Sequence, residues 1–597
     1  MRIRRLFHLL LAFTAMIALL AGRLFWLQVG SSLPRGAEAA ALSVRQRAQG
    51  VTLDPGRGHI VDRSGVPLTG RTEEGLLLLP GGAERLTETE LQALARLLEV
   101  PPSRLLAAWR ALQRPAWWNA GGARDTPEPL TAAQAEAIRR MRLAGAVVAG
   151  RQTRYPERRL AAHLVGFVAE QPERLASAYA RQVREGRLSL STPIGAAGLE
   201  LAFDRQLQSA GEKRIVSYAA GSGERLEGLG VKTIGGDNPY YPVRLATTLD
   251  ASLQRAIEDA IDAVGLPAGA VVVLDAATAD VVAMASRPTF DAERLSPAGD
   301  DWANRAIRAV APGSVMKSFI AAVALEEGVV SPRESFDCDG TYDRYGLTCW
   351  KEGGHGRLTF EEALAQSCNV AFAAVGERLT GPTLQRYGEA LGLTGTVGWR
   401  GVSAVDGTPV RQLPEEQPGR LFAGAADAAD GGVLAQTAIG QRDARLTPLA
   451  AANWMVTLLR GGAAASPRAA SALRTADGVA LERYERKRLN DFRASLSPAT
   501  AFAVRRMLER VAADGGTGAS LQAAIWPLAG KSGTAEVVVD GRPAVHQWFV
   551  GYGPADRPRY AVAVLAEARP PESPNRATAV FRAVMDALAK AESGSRP

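Results

Sequence analysis

The chain has 597 residues, and 70 Lys and Arg against 62 Asp and Glu give it a formal net charge of +8. At about 150 residues per domain this length predicts more than one domain, and a hydrophobic content of 47% argues against wholesale disorder. Three cysteines exclude a disulfide-dense scaffold and a cysteine-built zinc ribbon, and the five histidines show no paired ligand spacing, so we predict no metal site. Basic residues are interspersed with acidic ones, which argues against a nucleic-acid partner.

The N-terminus predicts a membrane anchor. Arginines near the start precede an uncharged run from Leu6 to Gly22, just long enough as a helix to cross a bilayer core. Basic residues in front of an apolar segment favour a cytoplasmic N-terminus. We therefore expect residues 1–30 to form a cytoplasmic stub and a transmembrane helix, with the rest of the chain outside the cytoplasm. A signal peptide cleaved near Ala21-Gly22 is the alternative, but the apolar run continues past Arg23, which favours an uncleaved anchor.

Residues 31–244 have the pattern of mixed short elements. Helices are predicted from Thr87 to Leu98 and from Thr131 to Arg142, with Thr131 as the N-cap. The segment from Gly211 to Val243 combines many glycines with scattered β-branched residues, which predicts loops and a β-ribbon.

Residues 245–597 have a different pattern. Two short apolar runs, 270–274 and 281–284, predict a β-hairpin. Near the end of the chain, three strands and a final helix are predicted at 535–539, 545–551, 560–565 and 576–591, with Asn575 as the helix N-cap. The intervening residues are mostly helical in pattern. This order predicts an antiparallel sheet built from both ends of one domain, with an inserted helical region.

Ser314-Val315-Met316-Lys317 opens an almost wholly apolar helix pattern. Ser314 and Lys317 lie three positions apart, so both side chains share one helical face. Burial would lower the pKa of the lysine toward that of a general base, which could activate the serine hydroxyl without a histidine. The alternative for this short pattern alone is a serine N-cap with a lysine reaching to solvent.

Two further motifs favour the catalytic interpretation: Ser367-Cys368-Asn369 after a helical segment, and Lys531-Ser532-Gly533-Thr534 at the start of a strand pattern. The order S-x-x-K, S-x-N, K-[ST]-G is the signature of penicillin-recognising serine acyltransferases. Ser314 would attack a peptide carbonyl and Lys317 would take its proton. Ser367 could relay a proton to the leaving amine, and Asn369 could hold Lys317 or the substrate amide.

The third motif is predicted to bind the substrate. Lys531 would bring positive charge to the carboxylate side, Ser532 and Thr534 would offer hydroxyl donors, and Gly533 would leave room for a substrate along the strand edge. The backbone N–H groups of Ser314 and Thr534 are the predicted oxyanion-hole pair.

With these motifs the chain resembles the class B penicillin-binding proteins, which are monofunctional peptidoglycan D,D-transpeptidases. Arg57-Gly58-His59-Ile60-Val61-Asp62-Arg63-Ser64-Gly65 is similar to the motif that opens the family's non-catalytic pedestal, although Thr69 stands where alanine is commoner. Other segments that match the family are Arg154-Tyr155-Pro156, His163 to Gly166, Gly195 to Glu200, Gly440-Gln441, Thr447-Pro448 and Trp548 to Tyr552.

The resemblance implies an α+β fold in three parts: the transmembrane helix, an elongated α/β pedestal for dimerisation or partner binding at 31–244, and a transpeptidase domain at 245–597. That domain would hold a five-stranded antiparallel sheet flanked by helices, with an inserted helical subdomain. Structural or partner-binding roles are implied for the pedestal residues Arg57, Gly58, Asp62, Arg63, Gly195, Gly198 and Glu200.

The resemblance further implies cross-linking of peptidoglycan stem peptides that end in D-Ala-D-Ala, through a serine acyl-enzyme that β-lactams also form. It implies that the reaction needs no metal and no organic cofactor. It implies a multi-pass glycan polymerase as partner, and a role in division, elongation or sporulation, between which the sequence does not choose. A D,D-carboxypeptidase or β-lactamase of the same fold is one alternative, and a non-enzymatic sensor or scaffold is another.

The remaining cysteines and histidines have non-catalytic interpretations. Cys338 and Cys349 could form a disulfide outside the membrane or remain free thiols. Cys368 is predicted to be a packed side chain on a helix, and His355 and His546 are predicted to be structural or to face solvent.

Overall fold

The computed structural model describes residues 2–29, 48–122, 127–156, 158–185, 188–208, 212–218, 231–235, 238, 240–292, 294–295, 299–425, 427–489 and 496–594. They form two compact units, the first made of Met1–Arg57, Arg71–Arg154 and Ala210–Asn238. The second is made of Gly58–Gly70, Tyr155–Ser209 and Pro239–Pro597. Two segments that we assigned to the pedestal, 58–70 and 155–209, therefore belong to the same compact unit as the catalytic half.

The first helix, Arg2–Val29, contains the apolar segment predicted from sequence. Its span Leu6–Phe25 has a mean hydropathy of 1.8, and none of it is buried within the protein. Length and composition are sufficient for this helix to cross a membrane. The expectation of an N-terminal apolar helix is confirmed.

The first unit also holds two small antiparallel sheets. Arg71–Leu78 pairs with Ala116–Trp117 and Ala146–Thr153, and Lys213–Tyr218 pairs with Ala48–Asp54 and Val231–Ile234. The last pairing contains the predicted ribbon, although residues 219–230 lie outside the described part of the chain.

Three helices complete the first unit, at Glu88–Leu97, Pro102–Arg110 and Ala132–Met141. Thr87 and Thr131 each close a capping box at a helix start, which explains why both predicted helices begin where the sequence indicates. The apolar faces of these helices contribute to a core around Leu76, Leu94 and Trp109, which are fully buried.

The second unit is built on a five-stranded antiparallel sheet, as predicted. Its strands, in spatial order, are Val281–Arg287, Gly269–Asp275, Tyr560–Arg569, Arg542–Gly553 and Ala529–Val539. The last strand starts earlier than its predicted first residue, Ala535, because Ala529–Thr534 continues in register with Arg542–Gly553 despite a composition that is poor in β-branched residues.

Helices cover both faces of this sheet. Ala251–Val264 and Arg576–Gly594 pack on one face, where the rings of Phe549 and Phe581 lie 4.5 Å apart between centroids. Pro448–Leu459 and Pro498–Val511 contribute to the core on the other face. The Asn575 side chain caps the final helix by accepting a hydrogen bond from Thr578 N–H at 3.0 Å, as predicted.

The other elements of the second unit include a four-stranded sheet in which His59–Val61 runs parallel to Arg244–Thr247. The remaining strands of this unit are Val168–Glu170, Pro193–Gly195, Ser335–Cys338, Thr341–Tyr342, Leu347–Thr348, Gly356–Thr359, Arg400–Val402, Pro409–Arg411, Ala470–Arg474 and Ala480–Arg483. Its remaining α-helices are Ala162–Val165, Pro172–Ala178, Ala180–Arg184, Gly198–Ala202, Asp204–Leu207, Met316–Glu326, Phe360–Ala365, Asn369–Gly376, Gly381–Leu391 and Gly431–Ala438.

Candidate active site

Ser314 lies where a short 3₁₀ turn, Gly313–Val315, leads into the helix Met316–Glu326. Gly313 has a φ of +55°, and a Cβ atom there would meet the carbonyl oxygen of Thr534 at 2.3 Å. Only glycine fits this position, because both the backbone conformation and the close approach exclude a side chain. The serine turn is thus held directly against the strand that carries the third motif.

Two further contacts fix the segment before Ser314. Gly313 N–H donates to the Gly440 carbonyl at 2.9 Å, and the indole N–H of Trp548 donates to the Ala311 carbonyl at 3.0 Å. The segments Gly440-Gln441 and Trp548 to Tyr552, singled out in the sequence, therefore support the turn on which the serine sits.

Lys317 is fully buried next to the second motif. Its Nζ donates to the Ser367 carbonyl at 2.7 Å and to Asn369 Oδ1 at 2.6 Å, and it lies 3.3 Å from Ser367 Oγ. Burial lowers the pKa of this amine to about 7. The charges of Cys368 and Cys349 raise the pKa, but by less than burial lowers it. A substantial fraction of the lysine is therefore neutral near pH 7, as a general base requires.

The second motif forms a tight turn between the helices Phe360–Ala365 and Asn369–Gly376. Ser367 has a φ of +57°, a left-handed conformation that is costly for a residue with a side chain. Asn369 is fixed by its side-chain amide, which donates to the Thr348 carbonyl at 2.9 Å. The sequence predicted that Cys368 lies within a helix. In the structure it is instead the N-cap residue of the second helix.

The third motif lies on the edge strand Ala529–Val539 of the five-stranded sheet. Lys531 is fully buried and its Nζ donates to the Ser532 carbonyl at 2.9 Å. Burial, followed by the charge of Lys317, lowers the pKa of Lys531 well below its usual value. The two lysines are therefore close enough to influence each other. Thr534, the last residue of the motif, is exposed to solvent.

Two contacts link the third motif to the others. At Gly533 a Cβ atom would lie 3.1 Å from the backbone nitrogen of Val315, so a larger residue would press on the serine turn. Ser532 Oγ donates to Thr517 Oγ1 at 2.7 Å, and Thr517 N–H donates to the Ala365 carbonyl at 3.2 Å. Thr517 was not identified from the sequence, because it lies in a loop without a recognisable pattern. The structure thus brings all three predicted motifs together.

The first pedestal motif supports the second compact unit. Asp62 Oδ1 accepts hydrogen bonds from Ser64 N–H and Val66 N–H, both at 2.8 Å, and its Oδ2 accepts one from Ala251 N–H at 3.0 Å. The last contact satisfies a backbone donor in the first turn of the helix Ala251–Val264. Arg63 forms an ion pair with Asp250, and Arg57 is buried.

We expect Asp62→Ala to lower the stability of the protein by about 3 kcal/mol, because it leaves backbone donors without their charged acceptor. The thermal unfolding midpoint of the full chain in detergent measures this effect. Arg63→Ala is the matched control: its side chain is 51% exposed and its ion pair with Asp250 should contribute less than about 1 kcal/mol. Equal midpoints for the Asp62 variant and the wild type would contradict a structural role for Asp62.

The second pedestal motif is a region of close backbone packing. A Cβ atom at Gly195 would meet the Glu200 carbonyl oxygen at 1.9 Å, and one at Gly198 would meet the Leu164 carbonyl oxygen at 2.5 Å. Glu200 is fully buried. This packing supports the structural role that the resemblance implies for Gly195, Gly198 and Glu200.

A group of four side chains adjoins the second motif. Ligand atoms of Cys338, Cys349, His355 and Cys368 all lie within 4.8 Å of one another. All three cysteines are free thiols, so no disulfide joins Cys338 to Cys349. The structure therefore offers a possible ligand set where we expected no metal site, and that expectation stays a prediction. The sequence did not reveal it, since the four residues follow no recognised ligand spacing.

A serine three positions before a buried lysine, next to an S-x-N turn and a K-S-G edge strand, is the motif arrangement of the penicillin-recognising serine acyltransferases. Residues 269–586 match the family model of the penicillin-binding protein transpeptidase domain, and residues 52–238 match the penicillin-binding protein dimerisation domain. The chain belongs to the class B penicillin-binding proteins.

Curated relatives agree with this assignment. Over 555 residues the chain is 26% identical to "Stage V sporulation protein D" of Bacillus subtilis, an alignment that covers 89% of this chain and 77% of the relative. It is 30% identical over 354 residues to "Peptidoglycan D,D-transpeptidase PbpA" of Mycobacterium tuberculosis, covering 54% and 66%. It is 27% identical over 458 residues to "Peptidoglycan D,D-transpeptidase MrdA" of Haemophilus influenzae, covering 71% and 67%.

Proposed function

We propose that this protein is a peptidoglycan D,D-transpeptidase that cross-links stem peptides through an acyl-enzyme on Ser314. The observation that carries the proposal is the position of Lys317. Its fully buried amine lies at the S-x-N turn, one helical turn from Ser314, and its pKa is lowered to about 7. Such an amine can accept the serine proton at neutral pH.

In the acylation step, Ser314 Oγ attacks the carbonyl carbon of the penultimate D-alanine while the neutral Lys317 amine takes the hydroxyl proton. The negative charge that develops on the carbonyl oxygen is stabilised by the backbone N–H groups of Ser314 and Thr534. When the peptide bond breaks, Ser367 Oγ, 3.3 Å from the lysine Nζ, relays a proton to the leaving amine. D-Alanine departs and the remaining peptide is esterified to Ser314.

In the second step, the amine of a neighbouring stem peptide attacks the ester carbonyl and forms the cross-linking amide. The ester bond to Ser314 Oγ breaks, and the proton of the amine passes through Lys317 to the Ser314 oxygen. Asn369 holds Lys317 in place through its Oδ1 atom, which accepts the amine hydrogen bond at 2.6 Å. The edge strand Ala529–Val539 offers the substrate backbone a partner for strand addition, with Gly533 leaving room and Ser532 and Thr534 supplying hydroxyl donors. β-Lactams would acylate the same serine.

We propose that Lys531 acts on a bound substrate through the K-S-G strand and not by direct contact. Its amine is fully buried and donates to the Ser532 carbonyl. A substrate carboxylate near Ser532 and Thr534 would favour the protonated form of this amine and so oppose the burial that lowers its pKa well below its usual value.

We further propose that the apolar N-terminal helix anchors the protein in the bacterial cell membrane, with the N-terminus in the cytoplasm and the catalytic unit outside. Arg4 and its neighbouring arginines favour this orientation. A multi-pass glycan polymerase is the proposed partner, contacted through the anchor helix and the pedestal. The names of the relatives support a role in sporulation or in peptidoglycan cross-linking.

The test is a cross-linking assay with the full chain in detergent and a synthetic stem peptide that ends in D-Ala-D-Ala. We expect release of D-alanine and, when a stem peptide with a free side-chain amine is added, formation of a cross-linked dimer. Release of D-alanine without any dimer would favour a carboxypeptidase. Fast turnover of penicillin would favour a β-lactamase, and either result would overturn the proposal.

A further inference from the structure

Three arginines lie beside the segment that leads to Ser314. Arg445 and Arg420 are directly opposite each other, and the backbone N–H group of each donates to the carbonyl of the other, at 2.8 and 2.9 Å. The next residue, Leu446, pairs in the same way with Val310, four positions before Ser314. We call the three residues the arginine cluster: Arg420, Arg442 and Arg445.

Two of these arginines, Arg420 and Arg445, have no carboxylate partner in the part of the chain that the structure describes. Arg420 Nε donates to the Asp443 carbonyl at 3.1 Å. Arg445 Nη1 donates to the Arg442 and Ala444 carbonyls at 2.7 and 2.8 Å. Burial, followed by the charge of Arg420, lowers the pKa of the half-buried Arg445 guanidinium. Like charges opposite each other in an antiparallel pair are destabilising, so a bound anion would stabilise this arrangement.

The backbone of Arg442 has an unusual conformation. Its φ is +58°, in the left-handed region, which is costly for a residue with a side chain. Its guanidinium pairs with Asp443 at 3.1 Å and lies 3.7 Å from Asp427. Backbone strain of this kind is concentrated at ligand-binding and active sites. Here the strained residue supplies the carbonyl that holds the Arg445 guanidinium in place.

The edge strand of the five-stranded sheet continues past the third motif on the face that carries Ser314. Gly533 faces the serine turn, as the close approach at its Cβ position shows. Ala535 lies two positions later and faces the same side, because side chains alternate along a strand. The residue opposite Ala535 on the neighbouring strand is His546. His546 therefore marks the part of this face that lies just beyond Thr534.

The arginine cluster lies close to His546. Burial lowers the pKa of this imidazole, the charge of Glu567 raises it, and the charges of Arg308 and Arg445 lower it further. Arg308 is already paired with Asp300 at 3.0 Å, and it lies 3.7 Å from Glu567. Arg445 is therefore the cation without an ion pair that lies near this part of the edge strand.

The orientation of the proposed substrate leads to the same place. In the proposed reaction the carboxylate end of the stem peptide lies near Ser532, and the attacked carbonyl oxygen lies between the N–H groups of Ser314 and Thr534. A peptide that adds to the edge strand then extends its preceding residues toward Ala535 and Val539. These preceding residues would run past the arginine cluster.

We propose that Arg445, together with Arg420, binds a free carboxylate on a stem-peptide residue that precedes the two D-alanines. This inference rests on the proposed function and adds a site that determines its substrate specificity. A guanidinium can hold a carboxylate through two parallel N–H···O bonds, and the half-buried position of Arg445 strengthens such bonds. The protein would thus favour stem peptides with a free carboxylate at this position over those that carry a carboxamide there.

The first test measures binding by a chain that cannot form the acyl-enzyme. The full chain with Ser314→Ala, in detergent, is titrated with two synthetic stem peptides by calorimetry. Both peptides end in D-Ala-D-Ala, and they differ only in a carboxylate or a carboxamide on the preceding residue. We expect the carboxylate peptide to bind about tenfold more tightly. Equal affinities, or no binding of either peptide, would overturn the proposal, whether or not the wild type cross-links peptides.

Variants made in the same Ser314→Ala chain identify the arginines. Arg445→Gln and Arg420→Gln should each reduce the preference for the carboxylate peptide, and Arg420 is exposed, so its variant should fold. Arg506→Gln is the matched control, because this arginine is 63% exposed on the helix Pro498–Val511 and pairs with Glu509. A full carboxylate preference in both cluster variants would overturn the assignment. An equal loss of affinity for both peptides would also overturn it, since that result indicates a structural role.

The reactive chain gives a test that separates this inference from the proposed function. In the wild type, kcat/KM for D-alanine release should be about tenfold higher with the carboxylate peptide, mainly through KM. In Arg445→Gln the ratio between the two peptides should fall to about one. Release of D-alanine with the same ratio in both proteins would overturn the carboxylate site. No release by the wild type would contradict the proposed function, and the binding titration would still decide the site.

Discussion

Ser314→Ala should abolish covalent labelling of the full chain by fluorescent penicillin, with a loss of at least about 10³-fold in the acylation rate constant. The expected loss is this large because no other hydroxyl replaces the serine at its position. The turn around it is fixed by Gly313, which has no room for a side chain, and by the hydrogen bond from Trp548 to Ala311. Gel fluorescence after a timed incubation, followed by mass spectrometry of the labelled peptide, measures the effect.

Ser331→Ala is the matched control for this substitution. Ser331 is an exposed serine after the same helix, so the variant should be labelled at the wild-type rate. The thermal unfolding midpoint of both variants should equal that of the wild type, since neither change removes buried apolar surface. Equal labelling of Ser314→Ala and the wild type would show that another residue is the nucleophile.

Lys317→Met should reduce acylation by about 10²–10⁴-fold, which is the usual contribution of a general base. Methionine keeps most of the side-chain volume, so the loss would come from the amine rather than from a cavity. The amine also holds the S-x-N turn through Ser367 and Asn369, so part of the loss reflects a less ordered turn. Stopped-flow measurement of penicillin acylation gives the rate constant directly.

Lys590→Met, at an exposed position of the final helix, is the control for the loss of a lysine. Acylation by Lys317→Met at the wild-type rate would remove this residue as the base. Loss of folding in the variant would show as a lower thermal midpoint, and the pH dependence of the wild type then provides a second test.

The wild-type pH dependence follows from the lowered pKa of Lys317, which is about 7 against 10.5 for an exposed lysine. The neutral amine is the reactive form, so the acylation rate should rise with pH through about 7 and reach a plateau above it. Below pH 7 the amine is protonated and the rate should fall. The groups that face this amine are Lys531, Cys349 and Cys368. A rate that is constant between pH 5 and 9 would contradict the role of Lys317.

Local sequence patterns predicted the elements that depend on local physics. The hairpin of the five-stranded sheet and the final helix were predicted because apolar periodicity and helix caps act over a few residues. The strand Ala529–Val539 was predicted too short, because its first half is stabilised by pairing with Arg542–Gly553 rather than by intrinsic β-propensity. Cys368 was assigned to a helix for the opposite reason: its neighbours favour a helix, whereas the left-handed Ser367 backbone ends one helix and starts another.

The sequence by itself determined the class of the protein and predicted the residues of its chemistry, because S-x-x-K, S-x-N and K-S-G are short motifs whose order identifies the family. Only the tertiary structure decided how these motifs meet: that Lys317 is fully buried against Ser367 and Asn369, and that Thr517 joins the third motif. It also brought Cys338, Cys349, His355 and Cys368 together from four separate segments. Contacts between residues far apart in the chain depend on how the elements pack, and no local pattern in the sequence encodes them.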